Sequence, residues 1–154
     1  MTTTAPPLEC TVDIDAPPAT VWTFWTDPAR LCEWWGIEAD AVAQPGGVFR
    51  VVMANHEAVM RGEYVELDPP HRLVFTFGWE EAMPSGPVPP GSTRVEVTLE
   101  PVGTGTRLVL RHHDLPEAAV PDHSKGWMHF IGERMVLLAT EMASDPDATS
   151  RNPV

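Results

Sequence analysis

The strongest constraint on the fold is the run from 15 to 36, Asp-Ala-Pro-Pro-Ala-Thr-Val-Trp-Thr-Phe-Trp-Thr-Asp-Pro-Ala-Arg-Leu-Cys-Glu-Trp-Trp-Gly. It reads as two short helices separated by Thr26-Asp27-Pro28. Pro17 and Pro28 each fit the first turn of a helix, where the missing N–H costs nothing, and Asp27 is placed to cap the second helix with its carboxylate. Four of the six tryptophans, Trp22, Trp25, Trp34 and Trp35, fall in this stretch. That much aromatic surface has to be buried against something concave, which a single curved sheet supplies.

Hydrophobic periodicity supplies the sheet. Residues 8–15 alternate with Cys10, Val12 and Ile14 on one side, a half-buried first strand. After the helices, strands are predicted over 37–43, 47–54, 57–67, 71–79, 92–100 and 105–113, separated by turn signals such as Pro45-Gly46-Gly47, Asp68-Pro69-Pro70 and Gly103-Thr104-Gly105. This is a meander of antiparallel hairpins. From about 120 to 143, Trp127, Phe130, Ile131, Met135, Leu138 and Met142 recur at helical spacing, a broad apolar stripe on a helix long enough to lie across the sheet. The class is α+β in the order β-α-α-β6-α, a curved seven-stranded antiparallel sheet with a long C-terminal helix.

At 154 residues the chain suits one folded unit, expected over 8–143 with flexible tails at 1–7 and 144–154. No apolar stretch approaches a membrane span, and the N-terminus lacks the regions of a signal peptide, so a cytoplasmic location without membrane insertion is expected. Cys10 and Cys32 lack metal-ligand spacing and read as packing thiols. A formal charge of −12 disfavours nucleic acid as a partner.

The order of elements, with Ala16-Pro17, Val21-Trp22, Thr26-Asp27-Pro28 and Trp34-Trp35-Gly36, resembles the START-like (SRPBCC, helix-grip) superfamily. Within it the pattern is most similar to the heat-shock protein 90 ATPase activator homologue family. The resemblance rests also on Gly46-Gly47-Val48-Phe49-Arg50, Arg61-Gly62-Glu63-Tyr64-Val65-Glu66-Leu67-Asp68-Pro69-Pro70, Leu73 to Trp79, Thr106 to His112 and Gly126-Trp127, and covers 8 to 142. It implies a sheet gripping the C-terminal helix around an apolar cavity. It does not imply one reaction, because relatives place different molecules there and fold does not fix function.

Strand parity nominates the lining. Leu73, Phe75, Phe77 and Trp79 share one face, as do Val95, Val97 and Leu99, and Leu108, Leu110 and His112. The candidate ligand-binding set is Trp25, Trp35, Phe75, Phe77, Trp79, Val97, Leu110, His112, Trp127, Phe130, Ile131 and Arg134. The six tryptophans are also enough to fill such a cavity as plain core. On strand 57–67, Met60, Gly62 and Tyr64 compete with Val59, Val65 and Leu67 for the inward face, which leaves the placement of Glu63 open. In a meander the loops at 55–56, 80–91 and 114–117 cluster with Trp34-Trp35-Gly36 at one end, and the hairpins at 44–47, 68–70 and 101–105 lie at the other. The proline-rich loop at 80–91 reads as a rim, lid or tether, with Met83 an adaptable apolar group near its start.

His112 is the one weak candidate for acid–base chemistry, since parity turns it inward while His113 faces out; a histidine satisfied by its neighbours is the alternative. Arg134 flanks the apolar stripe, placed either to hold a carboxylate or to reach solvent. His112–His113 and His123–His129 cannot chelate a metal at their spacings, and no nucleophile elbow, Cys-x-x-Cys or phosphate loop is present, so no metal, cofactor or catalytic residue is expected. Gly126 and Gly132 inside the last helix each cost about 1 kcal/mol relative to alanine, which calls for close backbone contact or a bend. Three functions stay open: a protein that binds a small apolar or amphipathic molecule, the leading one; an enzyme like the polyketide cyclases and dehydratases, with His112 as acid and base beside Tyr64, Glu63 or Asp114; and a chaperone-associated module, for which the sequence shows no obvious partner patch. An exposed Trp34–Trp35 edge would serve as a homodimer contact as readily as a pocket rim.

Overall fold

The computed structural model describes residues 7–54, 58–84 and 86–144. The expected loop at 55–56, the tail 145–154 and most of the tail 1–7 lie outside the described residues. The elements follow the expected order: β1 (Leu8–Ile14), α1 (Pro18–Thr26), α2 (Pro28–Trp34), β2 (Glu38–Ala41), β3 (Val48–Val52), β4 (Val59–Asp68), β5 (Arg72–Phe77), β6 (Thr93–Val102) and β7 (Gly105–His113). A C-terminal helical stretch then closes the structure. The seven strands form one antiparallel sheet in the order β1-β7-β6-β5-β4-β3-β2, so the first strand pairs with the last and the meander closes onto its own beginning.

Asp27 caps α2, its carboxylate accepting from the Ala29 N–H at 3.0 Å, and Pro28 occupies the first turn. One detail differs in α1: Pro17 stands at the cap in extended conformation and Pro18 takes the first helical position. The physical reason is that a residue preceding proline is driven away from helical angles, so the second proline of the pair opens the helix.

The concave face carries the core. Leu73, Phe75 and Phe77 of β5, Val95, Val97 and Leu99 of β6, and Leu108, Leu110 and His112 of β7 are all buried. On β4 the inward set is Met60 and Tyr64, with Gly62 between them, while Glu63 is exposed. Gly62 is required there, because a Cβ would collide with the Thr76 carbonyl on the neighbouring strand. A register shift between Tyr64 and Glu66 bends β4 further, the usual effect of an extra residue on one strand. The outer face carries the ion pairs Arg107–Asp13, Arg111–Glu9 and the Arg72 pairs with Glu66 and Glu96.

The C-terminal stretch differs from one uniform α-helix. A 3-10 turn at Glu117–Ala119 leads into α3 (Val120–His129), a π-helical stretch covers Phe130–Met135, and α4 (Val136–Ser144) follows. The reason lies in its spacing. His123, Trp127, Ile131, Met135 and Ala139 are all buried, each four residues from the last. Four residues of a regular α-helix overshoot one turn by about 40°, so five such positions would wind away from the sheet. The wider π turn takes back that drift and keeps the row on one face.

The Trp34–Trp35 pair is buried, which removes the exposed edge expected as a homodimer contact. Trp34 donates its indole N–H to the Phe24 carbonyl at 2.7 Å and stacks on Trp35 with ring centroids 5.2 Å apart.

Candidate functional site

Aromatic packing fills the deep part of the space between sheet and helices and leaves one end open. Trp25 is enclosed by Trp34, Trp35, Phe75 and Trp127, with ring centroids 4.9 to 6.3 Å away. Phe49 stacks on Tyr64 at 4.7 Å, and the Tyr64 hydroxyl donates to the Trp25 carbonyl at 2.8 Å. Burial drives the Tyr64 phenol well above its ordinary pKa, which leaves it a neutral strut between β4 and α1.

Beyond that cluster lies a cavity of about 270 Å³. The sheet side of its wall is Phe77 and Trp79, with Trp35 arriving from the end of α2; the helix side is Asp122, His123, Gly126, Trp127 and Phe130. Met53 and Ala58, at the ends of β3 and β4, and Met83 complete the rim. Met83 belongs to the loop at 80–91, which is anchored where the Trp79 N–H donates to the Val88 carbonyl at 2.7 Å and Val88 is buried. Gly78 permits the approach, since a Cβ there would meet the backbone of Pro89 and Pro90. The wall therefore combines Trp35, the end of β3, the start of β4 and the long loop, which is the end of the meander where topology grouped them.

Of the residues nominated by parity, Trp35, Phe77, Trp79, Trp127 and Phe130 meet at this wall. Trp25, Phe75, Val97, Leu110 and Ile131 are fully buried in the core behind it and do not line it. Arg134 is exposed on the π-helical stretch and does not reach the cavity, a correction that follows from the changed helical pitch. Sequence reasoning missed Met53, Ala58, Asp122, His123 and Gly126 as lining residues. The helical ones carried a signal: Asp122, Gly126 and Phe130 are four apart, as are His123 and Trp127, so two adjacent rows of one helix face the space.

Two buried histidines stitch this wall together. His112 Nδ1 accepts the Trp127 indole N–H at 3.1 Å, which makes Nε2 the protonated nitrogen, and that nitrogen donates to Thr93 Oγ1 at 2.9 Å. Thr93 in turn donates to the Phe77 carbonyl at 2.7 Å. His123 has the opposite tautomer: Nδ1–H donates to the Ala119 carbonyl at 2.7 Å and Nε2 accepts the Trp79 indole N–H at 3.0 Å. The rings lie edge to face, 5.7 Å between centroids. Burial, assisted by His123 and His113, pushes the His112 pKa down to about 3. Burial also lowers that of His123, against the opposing pull of the Ala119 carbonyl and Asp122.

Both ring nitrogens of each histidine are thus occupied within the protein, and the indole N–H groups of Trp79 and Trp127 are spent. What the wall offers a molecule includes aromatic faces, two flexible thioethers and the Asp122 carboxylate at the mouth. Among the described residues no three His, Cys, Asp or Glu side chains come together as a metal would require. No helix among them is long and apolar enough to cross a membrane.

The family profile described as activator of Hsp90 ATPase homolog 1-like protein matches residues 15–139. Among solved structures, an AHSA1-like protein from Rhizobium etli is 35% identical, with a TM-score of 0.69 over 96% of this chain and 89% of the other. DynU16, a protein in the dynemicin biosynthetic locus, is 26% identical with a TM-score of 0.72 over 87% of this chain; the chain spans about half of its length, 47%. An HSP90 activator from Plasmodium falciparum, 22% identical with a TM-score of 0.68 over 87% of this chain and 96% of the other, shares the fold. No curated protein matches the chain.

Proposed function

This chain belongs to the activator of Hsp90 ATPase homolog 1-like family, and we propose that within it the protein binds a small apolar or amphipathic molecule in the cavity between sheet and C-terminal helix. The observation that carries this reading is the wall itself. Trp35, Phe77, Trp79, Trp127 and Phe130 surround about 270 Å³ of space, just below the size range of common ligand pockets, with the indole N–H groups of Trp79 and Trp127 already paired to His123 and His112. Burying an apolar body there is favourable at about 25 cal/mol per Å² and strands none of those paired groups. The two methionines at the rim suit an entrance that reshapes around different molecules. A cytoplasmic location accords with this role.

The cyclase or dehydratase reading needs His112 to exchange protons with a substrate. Its two hydrogen bonds and its place behind Phe77 and Trp127 count against that role. The family's description favours a second reading, a chaperone-associated module, whose check is whether the purified protein raises the ATPase rate of an Hsp90.

The primary test is titration with the neutral dye N-phenyl-1-naphthylamine, read by dye fluorescence and tryptophan quenching. Saturable binding at one site, lost in Gly126→Leu, is the expected result. Absence of binding by a protein with an intact thermal transition would contradict the reading.

A further inference from the structure

We infer that the cavity discriminates by charge, accepting an apolar body with a cationic or neutral polar end and disfavouring a carboxylate end. This rests on the binding function proposed above and specifies its ligand class. The inference starts from the one formal charge among the described residues of the wall. Among the described lining residues Asp122 alone carries a formal charge, and it is exposed, at the mouth. Among the described residues no lysine or arginine lines the space. The nearest helical cation in sequence, Lys125, is exposed and not part of the wall. On the loop side, Arg50 and Arg61 are both engaged by Glu80, at 3.0 and 3.4 Å. An anionic end would therefore meet a carboxylate and, among the described lining residues, no cation.

The deeper wall strengthens the same preference. Aromatic faces present the negative side of their quadrupole, which attracts a cation close to the ring and gives an anion nothing. His123, the buried titratable group on the wall, has its N–H committed to Ala119 and its lone pair to Trp79, so it has no donor to lend a carboxylate. The field of the whole chain has the same sign, with a formal net charge of −12.

The test uses one skeleton with three ends, 2-naphthylmethylammonium, 2-naphthylmethanol and 2-naphthoate, titrated by calorimetry into the full chain at low and at 0.5 M salt. The expected order is ammonium, then alcohol, then carboxylate, with about three- to tenfold between the first two at low salt and less at high salt. Asp122→Asn is expected to collapse the ratio between ammonium and alcohol, while the remote, exposed Glu100→Gln keeps it. Binding of the alcohol with equal or tighter binding of the carboxylate would overturn the charge inference and leave the apolar cavity standing. A ratio unchanged in Asp122→Asn would overturn the role of this carboxylate. Failure of all three to bind would overturn the binding function and the inference with it.

Discussion

The indole N–H of Trp79 donates to Nε2 of His123 across 3.0 Å and so ties the segment just after β5 to the first turns of α3 along the wall of the cavity. The bond requires an unprotonated Nε2. With Nδ1–H committed to Ala119, protonating His123 would set two donors face to face. Replacing Trp79 by phenylalanine keeps an aromatic wall and removes that opposition. The expected outcome is a His123 titration moved upward from its depressed position, observed by NMR of the imidazole ring; an unchanged titration would show that the indole bond does not hold the tautomer.

His112 makes stability depend on pH in a defined direction. Its pKa in the folded protein is about 3, against an ordinary value of 6.5 in the unfolded chain. Above 6.5 neither state binds the proton and stability is full; as pH falls toward 3 the unfolded chain takes up a proton that the folded chain refuses. At pH 5 this costs about 2 kcal/mol relative to pH 7. His123 acts with the same sign. Urea denaturation at the two pH values checks it, with a flat response in this interval as the contrary result.

Truncating the same residue exposes its structural role. His112→Ala leaves the buried Trp127 N–H without an acceptor and opens a void behind Phe77, so a loss of about 2–4 kcal/mol is expected. A loss below about 0.5 kcal/mol in urea denaturation would contradict the pairing.

Tyr64→Phe removes the hydroxyl that satisfies the Trp25 carbonyl and leaves the ring stacked on Phe49. The expected cost is about 1–2 kcal/mol, read as a lower urea midpoint with an unchanged slope.

Gly126 separates stability from binding. A Cβ at this position meets nothing within 4 Å and the residue lines the cavity, so the space tolerates a side chain. Gly126→Ala is expected to raise stability by about 0.5–1 kcal/mol through helix propensity. Gly126→Leu is expected to keep the fold and occupy the cavity, so that thermal stability holds while dye binding disappears.

Much of this architecture was legible in the residues. Turn signals and period-two alternation located every strand, because most strands bury one face more than the other. Asp27-Pro28 marked the start of α2 for the same local reason. Parity could not choose between the two faces of β4, where apolar residues stand on both; in the structure Met60 and Tyr64 are the buried ones, with Gly62 between them close against the neighbouring strand. Neither was the π turn legible from composition, although the repeated spacing of four from His123 to Ala139 required some departure from α geometry. The candidate site was legible in part. Phe77 and Trp79 follow from parity, but Phe75, two residues earlier on the same face, is consumed by the core. Parity reports the side of a sheet and not the depth at which the aromatic packing stops. Arg134 was misplaced for the same kind of reason, since only the actual pitch of the helix decides which rows face inward.

The most direct test of the central claim is the set of indole N–H signals in a proton–nitrogen correlation spectrum, one for each of the six tryptophans, recorded while the neutral probe 2-naphthylmethanol is added. A ligand in the cavity is expected to move Trp35, Trp79 and Trp127 most and Trp22, which lies off its wall, least. Saturable shifts confined to those three would establish the cavity as the binding site. A spectrum unmoved at saturating probe, or one in which Trp22 moves and the lining three do not, would contradict it.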